Sequence, residues 1–146
     1  MAWMFQVNPR RFDIEGALRT GRPLRWSLRQ HARQVAAGNP ALIWMSGSSR
    51  GIIAMGRVVA IAPDQPEVAD WEREFELEPF DPTRRTTIAE LDVTGITPVT
   101  ATTLKQHPVL SNLLVLRRPN ATVFRVQPDE WDALRPLLEP VDPGRC

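Results

Sequence analysis

Near the amino terminus Trp3, Phe5 and Val7 alternate with Met4, Gln6 and Asn8, the two-residue period of a half-buried strand that Asn8-Pro9 ends. From Phe12 the spacing lengthens: Phe12, Ile14, Ala17 and Leu18 suit a short helix that Asp13 can cap and that Gly21 and Pro23 close. Leu28 to Ala37 predicts a second helix, with Gly38 as its stop. Ala41 to Ser46 and Ile52 to Ile61 are strand-like runs on either side of a glycine-bounded turn, Gly47 to Gly51, and so predict a hairpin. Residues 62 to 85 lack a clean period and are rich in proline and acidic groups, which predicts a long surface loop with one helical turn near Glu67 to Glu74. Beyond it, Thr86 to Val93 predicts a strand, Ala101 to Gln106 a short helix, and Ala121 to Val126 a brief strand. Pro128-Asp129-Glu130-Trp131 opens a closing helix with acidic groups at its positive end. Val141 to Cys146 is expected to form a flexible tail behind a single domain over residues 1–140. This order predicts an α+β fold with an antiparallel sheet, most simply buried as a small curved or closed barrel.

Length and composition narrow the classes. A chain of 146 residues is the size of one ordinary domain. No stretch approaches the ~20 consecutive apolar residues of a membrane helix, so no membrane partner is expected. Cys146 is the only cysteine, which excludes an intrachain disulfide and a cysteine zinc site. Met1 to Phe5 lacks the basic and apolar regions of a secretion signal, and a cytoplasmic location is the default expectation.

The formal charge of +1 hides an uneven distribution. Residues 1 to 60 carry a local net charge of +7, and residues 61 to 92 carry −7. Either the two segments pair across the fold or the basic part forms a face for a phosphate-bearing ligand. All but one of the basic side chains are arginine, the type better suited to bidentate phosphate contact.

Catalytic chemistry is poorly supplied. His31 sits beside Arg29 and Arg33 and His107 precedes Pro108; neither is at metal-ligand spacing from another ligand, and both read as surface residues. The Ser46 to Ser49 turn lacks a nucleophile-elbow motif, and Gly47 to Gly51 is followed by a strand and no lysine, unlike a phosphate loop. No cofactor, metal or catalytic residue is therefore assigned, and Lys105 with His107 is the only Lys/His pair that acid–base chemistry could use.

Five tryptophans and no tyrosine require an explanation. Trp3 is in phase with Phe5 and Val7, and Trp131 shares a helix with Leu134 and Leu138, so both read as core. Trp26, Trp44 and Trp71 are less easily absorbed: the first lies between helices, the second in an apolar strand, the third in the acidic loop.

The runs "FQVNPRRFDI", "RW" and "LIWMSGSSRGIIAMGRVV", with the closing "LSNLLVLRRPNATVFRVQPDEWDAL", resemble the EVE domain, a PUA-like family related to the YTH readers. The likeness keeps its order over about residues 3 to 139, and is greatest to the EVE type found near or fused to modification-dependent restriction endonucleases. One departure is Gly38-Asn39-Pro40 where the family usually has Gly-Asp, a change expected to alter a turn. The resemblance implies a PUA-like small antiparallel β-barrel flanked by helices, with an aromatic-walled pocket for a modified base. By position it implies Trp26 and Ser27 after the first helix, Trp44 and Ser46 on the pocket strand, and Asn8 at the end of the first strand, with Trp71 as a third wall. Arg25, Arg29, Arg33 and Arg50 are the expected phosphate contacts, and the arginine-rich helix between two facing tryptophans is expected to track the backbone.

Three function classes follow. The first is a non-catalytic reader of a modified base, 5-methylcytosine or a derivative in DNA, with modified DNA or RNA as partner and a restriction endonuclease as an associated protein. The second is a PUA-like RNA-binding or RNA-processing protein, either a 6-methyladenine reader or a ribonuclease; the third is a protein-interaction module.

Overall fold

The alternating run at the amino terminus does form a strand, β1 (Ala2–Val7), but all its residues except Gln6 are buried. Such burial needs cover on both faces, and β1 has it as an inner strand of a six-stranded sheet. In a computed structural model, which describes residues 1–118 and 120–140, the other strands are β2 (Leu24–Ser27), β3 (Pro40–Met45), β4 (Gly51–Pro66), β5 (Arg85–Thr100) and β6 (Val123–Val126). Their order is β2-β5-β4-β3-β1-β6. β1 runs parallel to β3, and every other pair is antiparallel. The expected antiparallel barrel is thus corrected on two counts: the sheet is mixed, and its end strands β2 and β6 do not pair, so it stays open. Closure is unnecessary because other segments cover the faces.

On one face Trp3, Phe5, Ile43, Val58 and Leu91 pack with Ile14 and Ala17 of helix α1 (Ile14–Arg19). Trp71 and Phe75 of a 3₁₀ helix, Asp70–Phe75, complete that layer. On the other face Met4, Leu42, Trp44, Ile52 and Phe124 meet Leu104, Leu110, Val115 and Leu134. These come from α2 (Ala101–Lys105), a 3₁₀ turn (Leu110–Asn112), α3 (Leu114–Arg117) and α4 (Pro128–Leu134). Asp13 and Thr100 cap α1 and α2 by accepting from Gly16 N and Thr103 N. Trp3 is core as expected, whereas Trp131 is half-buried against the second cluster.

The helix expected over Leu28 to Ala37 is absent. Leu28 N donates to Thr87 O at 2.9 Å, prolonging the β2–β5 pairing, and His31 adopts φ 59, outside the helical region. Leu28 and Val35 are buried but Ala32 is exposed, so the helix-like spacing marks two anchors of an irregular loop. That loop closes over Trp3, whose ring lies 5.1 Å from His31 and whose Nε1 donates to Asn39 Oδ1 at 3.0 Å. The same Oδ1 accepts from Ala36 N at 2.9 Å, so the Gly-Asn-Pro departure gives a buried indole its acceptor. His107 is likewise not a free surface residue: its Nδ1 accepts from Val109 N and Leu110 N at 3.1 and 3.2 Å.

The acidic loop is shorter than the composition implies. β4 continues to Pro66 and pairs with β5 from Arg85, with a register shift between Ala62 and Gln65 at Pro63. The expected tail at 141–146 lies outside the described residues.

The long β4–β5 pairing depends on Gly56, where an added Cβ would lie 1.9 Å from Asp92 O of the neighbouring backbone. Gly56→Ala is expected to destabilise by ~1–3 kcal/mol, as overpacking does, read as a lower denaturant midpoint. Gly95→Ala, whose Cβ meets nothing within 4 Å, should change the midpoint by no more than about 0.5 kcal/mol equivalent. Equal effects of the two would refute the assigned packing.

Candidate functional site

Because β1 and β3 are parallel and in register from Trp3↔Ala41 to Val7↔Met45, their carboxyl ends emerge side by side. Ser46 N and Oγ both bond Val7 O, at 2.9 and 3.1 Å, fixing the position just beyond the pair. Asn8, the next residue on the other chain segment, turns there, its Oδ1 accepting from Arg10 N at 3.0 Å. β2 enters from across the sheet, and Trp26 Nε1 donates to Gln6 O at 3.3 Å. Its ring stands edge-on to Phe5 with centroids 6.1 Å apart.

These ends surround a cavity of about 610 Å³, within the ~300–1,000 Å³ of small-ligand sites. Gln6, Asn8, Arg25, Trp26, Ser27, Trp44, Ser46 and Arg50 line it. Phe12, Phe80, Val68, Val115 and Thr122 add apolar and polar wall, and Arg11, Arg29, Glu67 and Glu72 add charge. Of the ten side chains expected from the sequence, the fold brings eight to this cavity: Asn8, Trp26, Ser27, Trp44, Ser46, Arg25, Arg29 and Arg50. Arg33 is exposed on the irregular loop and does not line it, which follows from the missing helix.

Trp71, the expected third wall, does not line this cavity. Its ring packs edge-on against Phe75 at 6.1 Å, with Arg22 over its face at 5.4 Å, so it docks the 3₁₀ helix onto the core. Phe12 and Phe80 supply cavity aromatics instead. Phe80 gave the same signal as Trp71, a large aromatic in a polar loop, and Arg11 sits 5.3 Å over its ring. Nor do Trp26 and Trp44 form a ring pair among the described residues. Trp26 is half-buried with the Trp3 cluster, while Trp44 is 2 % exposed and packs in the cluster on the opposite face. A register shift between Ile43 and Trp44 sits at this point of the β3–β4 pairing.

The polar groups are distinct in what they offer. Ser27 Oγ donates to Thr86 Oγ1 at 3.3 Å and Ser46 Oγ to Val7 O, which leaves both hydroxyl oxygens as acceptors. Asn8 keeps an amide NH₂ without a partner among the described residues. Arg25 Nη1 donates to Pro66 O at 3.3 Å, and Arg50 is exposed without an ion pair among the described residues. Arg11 pairs with Glu78 at 3.2 Å and Arg29 with Glu67 at 3.2 Å, so the basic and acidic segments do pair in part.

Glu72, missed by the sequence reading, is 3 % exposed. Its Oε1 accepts from Ala69 N at 2.9 Å and its Oε2 from Arg25 N at 3.4 Å, tying the 3₁₀ helix to β2. Burial pushes its carboxyl up to about 7, against the opposing pull of those two N–H groups and the Arg25 charge. A carboxyl raised in this way stabilises the fold fully below its unfolded value near 4.5, and the contribution is lost as pH rises through about 7. No group of three or more histidine, cysteine or carboxylate side chains that could hold a metal occurs among the described residues.

The fold recurs in solved structures. Human THYN1 in complex with 5-methylcytosine-containing DNA shares 17 % identity and a TM-score of 0.63, over 93 % of this chain and 96 % of that one. ASCH from Zymomonas mobilis gives 16 % and 0.65 over 97 % and 98 %, and a hypothetical protein from Leishmania major 18 % and 0.69 over 93 % and 92 %. No curated protein matches the chain. The EVE domain matches residues 1–137, nearly the whole sequence, and the chain belongs to the EVE domain family.

Proposed function

We propose that the cavity receives a nucleobase turned out of its strand and that the chain is a non-catalytic reader of a modified base, 5-methylcytosine or a derivative, in DNA. The observation that carries this reading is a half-buried Trp26 on the wall of a nucleoside-scale cavity whose rim holds arginines. The DNA complex of the similarly folded human THYN1 supports it. Stacking on an aromatic ring is worth ~1–3 kcal/mol for any base, which offsets the few kcal/mol that flipping costs. Burying one methyl group adds only ~0.8 kcal/mol, so useful discrimination requires a close fit around it, worth up to ~1–3 kcal/mol. In this reading Trp26 is the stacking platform, and the nearly wholly buried Trp44 is the rear wall and not a facing one. The Ser27 and Ser46 oxygens would accept from an exocyclic amino group, and the Asn8 amide would donate to a ring acceptor. Arg25 and Arg50 would contact phosphate. A restriction endonuclease as associated effector rests on the sequence resemblance alone.

Trp26→Ala should weaken binding of a 5-methylcytosine oligonucleotide about 5- to 150-fold, the equivalent of ~1–3 kcal/mol, and remove its preference over the unmodified strand. Trp71→Ala, away from the cavity, should leave the preference in place. Tryptophan-fluorescence or anisotropy titrations with matched strands, beside a thermal melt of each variant, decide the matter; a folded Trp26→Ala that still discriminates refutes the site.

Glu72 makes binding pH-dependent. An anionic strand beside it disfavours the carboxylate and draws in a proton, so affinity should rise as pH falls from 8 towards 7, by at most tenfold per unit, and flatten below about 6. Titrations across that range should show the slope in the wild type and lose it in Glu72→Gln. A slope retained in the variant would assign the proton to another group.

A further inference from the structure

At the cavity rim the Glu67 Oε1 lies 3.2 Å from Arg29 Nη2 and 3.3 Å from Arg84 Nε. The two arginines come from separate segments, Arg29 just after β2 and Arg84 just before β5, and converge on a single oxygen. The carboxylate side chain is enclosed, 8 % exposed, whereas both arginine side chains are about half exposed, at 52 % and 49 %. The group keeps a net positive charge with guanidinium N–H groups to spare: each guanidinium carries five donors, Arg29 gives one of them to Glu67 Oε1, and Arg84 meets that oxygen as an ion pair. Arg11 with Glu78 and Arg85 with Asp64 differ: each is a one-to-one pair in which the carboxylate is the more exposed partner. Two cations gathered on one sheltered anion beside a cavity form an anion site with an internal occupant.

We propose that Arg29 and Arg84 form the subsite for a phosphodiester of the strand whose base enters the cavity, and that Glu67 is the internal anion this phosphate displaces. The inference rests on the base-reading proposal for the choice of ligand, but its charge chemistry is independent of which base is read. It brings in Arg84, which the sequence reading passed over, and leaves out Arg33, which it had included. It also gives the acidic segment a function at the site: Glu67 shields the two arginines until a strand with its own phosphates competes. A phosphate held by two guanidinium groups gains bidentate geometry that a lone surface arginine does not provide.

The test is an anisotropy titration of a labelled single-stranded oligonucleotide, with and without 5-methylcytosine, over a range of salt concentrations, using wild type, Glu67→Gln and Arg84→Ala. Thermal melts establish that each variant is folded. Glu67→Gln keeps an oxygen for the arginines but removes the competing charge. It should bind several-fold tighter at low salt, equally for both strands, and steepen the dependence of log affinity on log salt by up to about 0.7. Arg84→Ala should weaken both strands equally and make that dependence shallower by about 0.7, the counterion share of one phosphate contact on a single strand. A folded Glu67→Gln that binds no tighter, or an Arg84→Ala with an unchanged salt slope, would reduce the triad to a structural ion pair and overturn the proposal. Should Glu67→Gln fail to fold, the slope of Arg84→Ala decides alone. If the slopes move as expected but the wild type does not prefer the modified strand, base reading fails and the phosphate subsite stands. If the preference is present and the slopes do not move, only the subsite fails.

Discussion

The parallel pairing of β1 with β3 is the constraint on which the rest of the molecule depends. Parallel neighbours need a crossover between them, and here the crossover contains α1, β2 and the irregular loop over Trp3. It also puts the carboxyl ends of both strands at one edge, which an antiparallel pair would separate by the strand length. Val7 and Met45 are in register, so Asn8 and Ser46 leave the sheet together, and the cavity opens where they leave. The remaining walls are segments that the crossover and the β4–β5 hairpin carry to that edge.

Burial of both sheet faces follows from the same arrangement. An inner parallel pair with apolar side chains on each side cannot be left open to water on either. The helices after β5 cover one face, while α1 and the 3₁₀ helix cover the other, so the sheet buries its surface without closing on itself. The acidic segment is held into this second layer by backbone contacts: Asp13 N donates to Phe75 O at 2.7 Å and Leu77 N to Arg11 O at 2.9 Å. Trp71 reinforces them from the core side, away from the cavity. A segment that composition marks as a solvated loop is therefore a structural wall, and Glu72 is its buried fastening to β2.

The charge separation along the chain resolves into two populations. Arg11 and Arg29 of the basic part meet Glu78 and Glu67 of the acidic part, while Arg50 stays unpaired among the described residues. Internal pairing, one of the two alternatives raised by the sequence, is thus present in part, with Arg50 left outside it at the same cavity.

By itself the sequence determined the positions of β1, β3 and β6, the first parts of β4 and β5, the Asp13 cap of α1, the α+β class and the family likeness, and eight of the ten site residues it named line the cavity; it missed β2, which it placed between helices. Those features are local: two-residue alternation, a capping Asp and short motifs are written within short stretches of chain. It misread Leu28 to Ala37 because Leu28 and Val35 sit at helical spacing, although they are anchors of a loop set by β2 pairing and by His31 at φ 59. It named Trp71 and passed over Phe80, although both are aromatics in a polar loop, and which one reaches the cavity depends on how the loop docks on residues 11–13. The open mixed sheet, the opposite-face placement of Trp26 and Trp44, and the convergence of Arg29 and Arg84 on Glu67 were decided only by tertiary structure. Each depends on contacts between residues far apart in the chain, where hydrogen-bond register and the packing of buried surface, not local spacing, choose among arrangements that the sequence pattern alone allows equally.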